Sequence, residues 1–224
     1  MRLRYLLSAV LASLVPSVAH ASTMDFLGLG KAEVVTVAGV RNVRAWAGEM
    51  RWEWVGTGDD FYSYCVDLLN NETDPQYDVT IRSTDSMVTD GMVTTPYAAQ
   101  KAAWLFNSYA NAAHIADTGA MAAGLQLAIW EVLFDDGRSL LYDSTVGNRF
   151  YVTAASSAAL AAGANYLAAL NAWGTDYASA RATWLDVPSG KGQDQITTPE
   201  PATLLLLGTG LAGLATRRRR KSQA

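Results

Sequence analysis

Two side chains stand out for the chemistry that their types allow. Cys65 is the one cysteine among 224 residues, so it has no partner for an intramolecular disulfide. A thiol nucleophile of the hydrolase kind needs a histidine base, and His114 is the one histidine beyond the N-terminal twenty residues. Neither residue lies in a local signature of such an enzyme. A lone cysteine is also commonly a small buried hydrophobic side chain, or it cross-links two chains, so these interpretations stay open.

A third reactive group is the side-chain amide of Gln126. On a helix, Gln126, Ile129, Trp130 and Leu133 occupy positions i, i+3, i+4 and i+7, so the amide shares a face with bulky apolar groups. Burial of a primary amide is costly unless its donors and acceptor are paired. The spacing alone favours a glutamine that hydrogen-bonds the backbone of a strand or loop, as most buried polar groups do.

Hydrophobic periodicity predicts the elements that position these side chains. Alternating segments rich in β-branched and aromatic residues predict strands at 33–40, 49–56, 60–68, 76–83 and 181–187. Longer periods predict helices at 95–113 and 117–137, and one long or two short helices at 146–173. The fold class is therefore α+β, a single domain with an N-terminal β-sheet or barrel-like portion followed by a helical portion.

The N-terminal residues 1–21 have the layout of a cleaved secretory signal peptide. Arg2 and Arg4 form a basic region, residues 6–18 are apolar, and Ala19 and Ala21 form a small-x-small cleavage site. The domain that follows spans 22–187, which is long enough to bury a substantial core. Residues 188–198 are rich in Pro, Gly and small polar residues and are interpreted as a flexible linker.

The C-terminal segment 199–221 has three parts. The tripeptide Pro199, Glu200, Pro201 is followed by an uncharged run at 202–216 and then by a basic cluster. The cluster consists of Arg217, Arg218, Arg219, Arg220 and Lys221. The run is short for a membrane span, which needs about twenty apolar residues. The basic cluster predicts that this end stays in the cytoplasm and that the domain lies outside the inner membrane.

This tail resembles the PEP-CTERM sorting signal of Gram-negative bacteria, whose three parts it shows in the same order. The resemblance implies a precursor tethered to the inner membrane by its C-terminal transmembrane helix and processed by an exosortase. The product then reaches the cell surface or the extracellular matrix. Such proteins are often encoded beside exopolysaccharide genes, which suggests a place in biofilm.

The charge balance excludes some classes of partner. Two of the 17 lysines and arginines lie in the signal peptide and five in the tail, which also holds Glu200; ten then remain against 20 acidic residues, a net charge near −10. A nucleic-acid binder would be basic instead. No calcium loop with ligands at alternate positions is present, and Asp59-Asp60 and Asp135-Asp136-Gly137 are interpreted as turns. We expect no metal and no cofactor.

Three segments, "YCVDL", "AAWLFNSYANA" and "LQLAIWEVLFD", resemble the thioester (TQXA) domains of bacterial surface adhesins. In that family a cysteine is joined to the side-chain carbonyl of a glutamine in a Thr-Gln-x-Ala-aliphatic-Trp motif. The matching positions here are Cys65, Gln126, Ala128 and Trp130. Leu125 stands where the family has threonine.

The resemblance implies a bond made by the Cys65 thiolate on the Gln126 carboxamide with loss of ammonia. Tyr64, Ile129 and Trp130 would shield this thioester from water, and Glu131 and Asp67 are candidates for proton transfer. An amine or hydroxyl of a surface polysaccharide or protein would then attack the carbonyl and become covalently attached. The protein would act as a reagent for adhesion and not as an enzyme. The alternative is a non-covalent structural or exopolysaccharide-associated surface protein with a buried cysteine.

Overall fold

The structure is a computed structural model and describes residues 21–72, 74–87, 89–92, 97–174 and 176–198. The strands are β1 (Ala21–Gly39), β2 (Val43–Trp54), β3 (Asp60–Cys65), β4 (Gln76–Ser83), β5 (Phe150–Ala154), β6 (Thr183–Asp186) and β7 (Gln195–Thr197). The α-helices are α1 (Ala98–Ile115), α2 (Ala120–Phe134) and α3 (Ser157–Ala172), with short 3-10 helices at Thr84–Ser86 and Asp176–Ser179. The predicted α+β class is confirmed, with most strands preceding the helices.

The sheet closes on itself. Its order is β2-β3-β7-β6-β4-β1-β5, and β1 pairs with β2 as well, so six strands form a ring and β5 adds to the far part of β1. Every pairing is antiparallel. Register shifts between Phe26 and Gly28 and between Leu29 and Ala32 bend β1, and bulges of this kind let one strand turn a corner. The barrel-like portion is thus a closed barrel whose strands protect one another's edges.

Two apolar clusters stabilise this arrangement. The smaller cluster is centred on Trp52, Met24 and Leu185 and belongs to strands of the barrel. The larger one joins the barrel to the helices and surrounds α2, of which nearly every residue is buried. A helix that is apolar on all sides belongs in the interior, and α2 packs against α1, α3 and β2. Gly124 allows the closest approach, since a Cβ there would lie 2.7 Å from the backbone nitrogen of Gly163 on α3.

The strand predicted at 33–40 is longer in the structure, since β1 begins at Ala21, and two predicted segments differ in kind. Residues 146–173 contain β5 before α3, and the helix begins only after Ser156, whose hydroxyl accepts a hydrogen bond from the backbone N–H of Ala159. The prediction of a flexible linker over 188–198 is wrong for its last third. Residues 195–197 form β7 between β3 and β6 and are buried, so the folded domain extends past residue 187.

The two termini carry predictions that the structure leaves untested. Most of the signal peptide and the segment 199–221 lie outside the described residues. Within the described part of the chain, no helix is both long enough and apolar enough to cross a membrane.

Candidate functional site

The structure brings Cys65 and Gln126 together although they are 61 positions apart. Cys65 is the last residue of β3, and Gln126 lies in the second turn of α2. The Cys65 N–H donates to Oε1 of Gln126 at 3.0 Å, and Nε2 of Gln126 donates to the Cys65 carbonyl at 2.6 Å. Both residues are buried, with 2% and 1% of their surface exposed. The carboxamide therefore lies flat against the backbone of the residue that carries the thiol.

These two hydrogen bonds also explain how the amide is oriented without a threonine before it. Leu125 is fully buried in the larger apolar cluster. The Cys65 backbone fixes both the oxygen and the nitrogen of Gln126. The departure from the family motif at position 125 thus leaves the orientation of the amide intact.

The thiol of Cys65 is held by the turn that follows β3. Sγ donates to the carbonyl of Asp67 at 2.7 Å, and the Asp67 N–H lies 3.3 Å from Sγ. Burial raises the pKa of the thiol well above its ordinary value, and the Asp67 and Glu72 carboxylates add to this, against the opposing effects of the Asp67 backbone and the Trp130 indole. A free Cys65 is therefore protonated at neutral pH.

Of the three predicted shielding residues, Trp130 acts directly on the thiol. Its side chain is 1% exposed, and its indole N–H makes no hydrogen bond of ordinary geometry in the described residues. The same N–H is nevertheless close enough to Sγ to lower the thiol pKa. A buried donor with no other partner is costly, so this N–H is available to the sulfur of Cys65.

Tyr64 and Ile129 are also buried. The Tyr64 ring packs edge-on against Phe106 of α1, with ring centres 5.9 Å apart. Burial raises the pKa of the Tyr64 hydroxyl, and this oxygen has no partner in the described residues. Both side chains thus belong to the apolar wall between the barrel and the helices.

Asp67 and Glu131, the two carboxylates suggested for proton transfer, are positioned for other contacts. Asp67 accepts hydrogen bonds from the N–H groups of Leu69 and Asn70 at 2.7 and 3.2 Å, so its carboxylate fixes the turn after β3. Glu131 lies beside Asp135 and Asp136 at the C-terminal end of α2. Neither position supports the predicted role in proton transfer.

His114 has partners of its own. Its Nδ1 lies 3.3 Å from Oε2 of Glu49, and its ring packs on Tyr62 with centres 4.3 Å apart. The thiol of Cys65, by contrast, bonds to Asp67. With the pKa of Cys65 raised as well, the geometry gives no support to a Cys-His hydrolase, because such an enzyme needs a thiolate beside its base.

Among the described residues, one group of side chains could hold a metal ion: Glu131, Asp135 and Asp136, whose ligand atoms lie within 4.8 Å of one another. Two of these carboxylates have other partners. Asp135 accepts from the N–H groups of Arg149 and Phe150, and Asp136 accepts from Arg138. The sequence interpretation of these aspartates as turn residues fits these bonds.

Glu131 makes stability depend on pH. Burial raises its pKa from 4.5 to about 8, and the charges of Asp135 and Asp136 add to this. The folded protein therefore holds a proton that the unfolded chain releases above pH 4.5, so this contribution to stability is full below that pH and is lost as pH rises through about 8.

Glu131→Gln is expected to remove this loss, because the amide is neutral at every pH. At pH 8 the free energy of unfolding should rise by roughly 2–4 kcal/mol relative to the unsubstituted protein, whereas at pH 4 the two should agree closely. Urea unfolding at both pH values checks this, with Asp59→Asn at an exposed turn as control. An equal change at both pH values would contradict the raised pKa.

Residues after the predicted domain boundary also contribute to the site, and their sequence did not predict this. Nε2 of Gln193 donates to the carbonyls of Asp67 and Asn70, at 3.2 and 3.0 Å, and so supports the turn that holds the thiol. Gln195 pairs with Cys65 across β7 and β3. In "QDQIT", the β-branched pair Ile196 and Thr197 is the one sequence feature that indicates a strand here.

The site thus belongs to a closed antiparallel barrel with a central buried helix, which present a cysteine and a glutamine to each other. Comparison with known proteins adds two findings. Residues 197–220 match the PEP-CTERM protein-sorting motif. The chain is similar in structure to the N-terminal thioester domain of fibronectin-binding protein SfbI from Streptococcus pyogenes, with a TM-score of 0.44 and 13% identity over 80% of this chain and 92% of that one.

No curated protein gives a significant sequence match. The predicted sorting signal is confirmed by the motif match. The protein is therefore an exported one whose precursor is anchored in the membrane of a Gram-negative bacterium and is processed by an exosortase.

Proposed function

We propose that this domain forms an internal thioester between Cys65 and Gln126 and uses it to attach covalently to an amine or hydroxyl at the cell surface or in the extracellular matrix. The observation that carries the proposal is the docking of the Gln126 carboxamide on the Cys65 backbone inside a water-excluding core. Groups held side by side in this way react at a greatly increased effective concentration.

The thioester can form from the two side chains alone, without a cofactor. The Cys65 sulfur attacks the side-chain carbonyl carbon of Gln126, the C–S bond forms, and the C–N bond breaks. The thiol proton leaves with the amide nitrogen as ammonia. Burial then keeps water from the acyl carbon, because Trp130 and Ile129 are at most 1% exposed.

Reaction with a target breaks the thioester and frees the thiol. An O–H or N–H group of the target attacks the acyl carbon, the C–S bond breaks, and the proton passes to sulfur. The products are an ester or amide on Gln126 and a free thiol on Cys65. Each molecule reacts once, so the protein is a reagent and not a turnover catalyst.

The test is the intact mass of freshly purified mature protein. We expect it to be one ammonia lighter than the sequence, and we expect Cys65→Ala and Gln126→Ala to have their full sequence masses. Gln100→Ala, on α1 with its amide bonded to Asp85, is the matched control and should keep the deficit. Methylamine should add once, at Gln126, and expose one alkylatable thiol. A full mass with a thiol that alkylates in fresh protein would show that no thioester forms.

One observation favours a second candidate function, a non-covalent structural surface module. The oxygen of the Gln126 amide and one of its N–H groups are already paired with the Cys65 backbone, which is the ordinary role of a buried glutamine. In that case methylamine does not react, and both substitutions alter only stability.

A further inference from the structure

We infer that a cleft beside the Cys65–Gln126 pair binds an acidic polysaccharide and that a sugar hydroxyl is the group that attacks Gln126. This inference rests on the proposed thioester for its covalent step and on the cleft itself for recognition. The cleft has a volume of about 300 Å³, and its lining includes Arg41, Arg44, Trp46, Leu68, Glu72 and Trp130.

The cleft adjoins the reactive pair. Trp130 lines it, lies one helical turn from Gln126, and acts on the Cys65 thiol. Leu68 and Asn71, which also line it, belong to the turn that holds the thiol. Trp130 therefore connects the cleft to the reactive pair.

The charges at the cleft favour an anion. Among the described residues, the side chain of Arg44 has neither a hydrogen bond nor an ion pair, and it is exposed. Arg41 donates to neutral oxygens only, the carbonyls of Leu68 and Leu69 and Oδ1 of Asn71, at 3.0 to 3.1 Å. By contrast, Arg51, Arg82, Arg138 and Arg181 each face a carboxylate.

One carboxylate in the cleft opposes this preference. Glu72 accepts hydrogen bonds from the N–H of Gln193 and from Nε2 of Gln195. Burial raises its pKa, and the two arginines outnumber this one carboxylate among the residues that line the cleft. Two arginines without carboxylate partners, in an otherwise acidic domain, thus leave the cleft with its positive charge, and arginine binds carboxylates with two parallel hydrogen bonds.

The apolar part of the cleft suits a sugar ring. Trp46 is 55% exposed and Leu29 is 39% exposed, and both line the cleft. A large aromatic face that stays open to solvent is typical of a binding surface. An indole plane beside two guanidinium groups matches a ligand with a flat C–H face and carboxylates at its edge, as in a uronic acid polymer.

The same charges select among nucleophiles. A lysine ammonium would approach two arginines that repel it, and it must first lose its proton. A hydroxyl on an anionic polymer is attracted to the cleft and carries no charge of its own. Its oxygen attacks the Gln126 carbonyl carbon, the C–S bond breaks, its proton goes to sulfur, and the product is an ester.

The experiment uses the mature domain with three probes: a polyuronate oligosaccharide, a neutral glucan oligosaccharide and a lysine peptide. Adduct formation is followed by intact mass. The polyuronate should label the protein fastest. Arg44→Gln and Trp46→Ala should each slow that labelling by about tenfold. Before labelling, both variants should still be lighter than their sequence mass by one ammonia. Arg181→Gln, which also removes one exposed positive charge but lies outside the cleft, should label like the unsubstituted protein.

Faster labelling by the lysine peptide or by the neutral glucan would overturn the inference, as would unchanged labelling of both cleft variants. Reversible binding of the polyuronate to Cys65→Ala separates this inference from the thioester. If the unsubstituted protein has its full sequence mass, no thioester has formed and the proposed function is wrong. In that case, binding of the polyuronate to Cys65→Ala, together with weaker binding to Arg44→Gln, would still support recognition by the cleft. Absence of binding to Cys65→Ala would contradict it.

Discussion

Gln126→Glu is expected to have its full sequence mass and to lose roughly 3–5 kcal/mol of stability at pH 8. The substitution keeps the shape of the side chain but replaces the N–H that donates to the Cys65 carbonyl at 2.6 Å with a carboxylate oxygen. Two acceptors then face each other inside the core, and a buried charge is left without a partner. The variant also has no amide nitrogen to expel as ammonia.

The loss of stability in Gln126→Glu should depend on pH. Burial raises the pKa of the introduced carboxyl, so its folded form prefers to be protonated. The loss of stability should therefore be smallest at pH 4 and grow as pH rises through the raised pKa. Urea unfolding at pH 4 and pH 8 measures it, with Asn111→Asp at an exposed position of α1 as the control. An unchanged stability at pH 8 would mean that the amide is not docked on Cys65.

Trp130→Ala is expected to destabilise the domain by roughly 3–5 kcal/mol and to shorten the lifetime of the proposed thioester. The indole lines the cleft and also contacts the thiol, so we expect its removal to admit water to the acyl carbon. Hydrolysis would convert the ammonia-deficient mass to that of a glutamate at position 126 with a free thiol. Trp130→Phe keeps a ring there and should retain the bond longer than Trp130→Ala does.

Trp184→Ala supplies the matched control. Trp184 is as fully buried as Trp130 and belongs to the same apolar cluster, but it does not line the cleft. We expect a similar loss of stability without faster hydrolysis, measured by intact mass over time under conditions in which both variants stay folded. Equal lifetimes in Trp130→Ala and the unsubstituted protein would contradict the shielding role of Trp130.

The sequence predicted the pair of site residues better than the boundaries of the fold. Alternation in 49–56 and 76–83 and the long period of 117–137 correspond to β2, β4 and α2. The meeting of Cys65 and Gln126 was predicted through a family resemblance, because no local pattern tells which strand a buried amide will contact. Leu125 shows the limit of motif comparison, since the backbone of Cys65 orients the amide without a threonine.

The missed elements have physical causes. β5 is five residues long and lies next to an alanine-rich segment. Because alanine has a high helix propensity, the whole stretch was predicted to be helical. β7 has three residues, two of them polar, and its stability comes from pairing with β3 and β6 and not from its composition. The unpartnered state of Arg44 and the exposure of Trp46 follow from the tertiary arrangement, so the sequence alone gave no indication of a cleft.

The place of β7 in the barrel decides how the protein would carry a mechanical load. The sorting motif begins at residue 197, the last residue of β7, and the proposed attachment point is Gln126. Tension between a bound target and the tail would therefore run through residues 126–197. The N-terminal strands β1–β4 and α1 lie outside that covalent line. Release of Cys65 on reaction would remove their covalent tie to that line, so they would bear force only through their pairing with β5, β6 and β7 and their packing against α2 and α3.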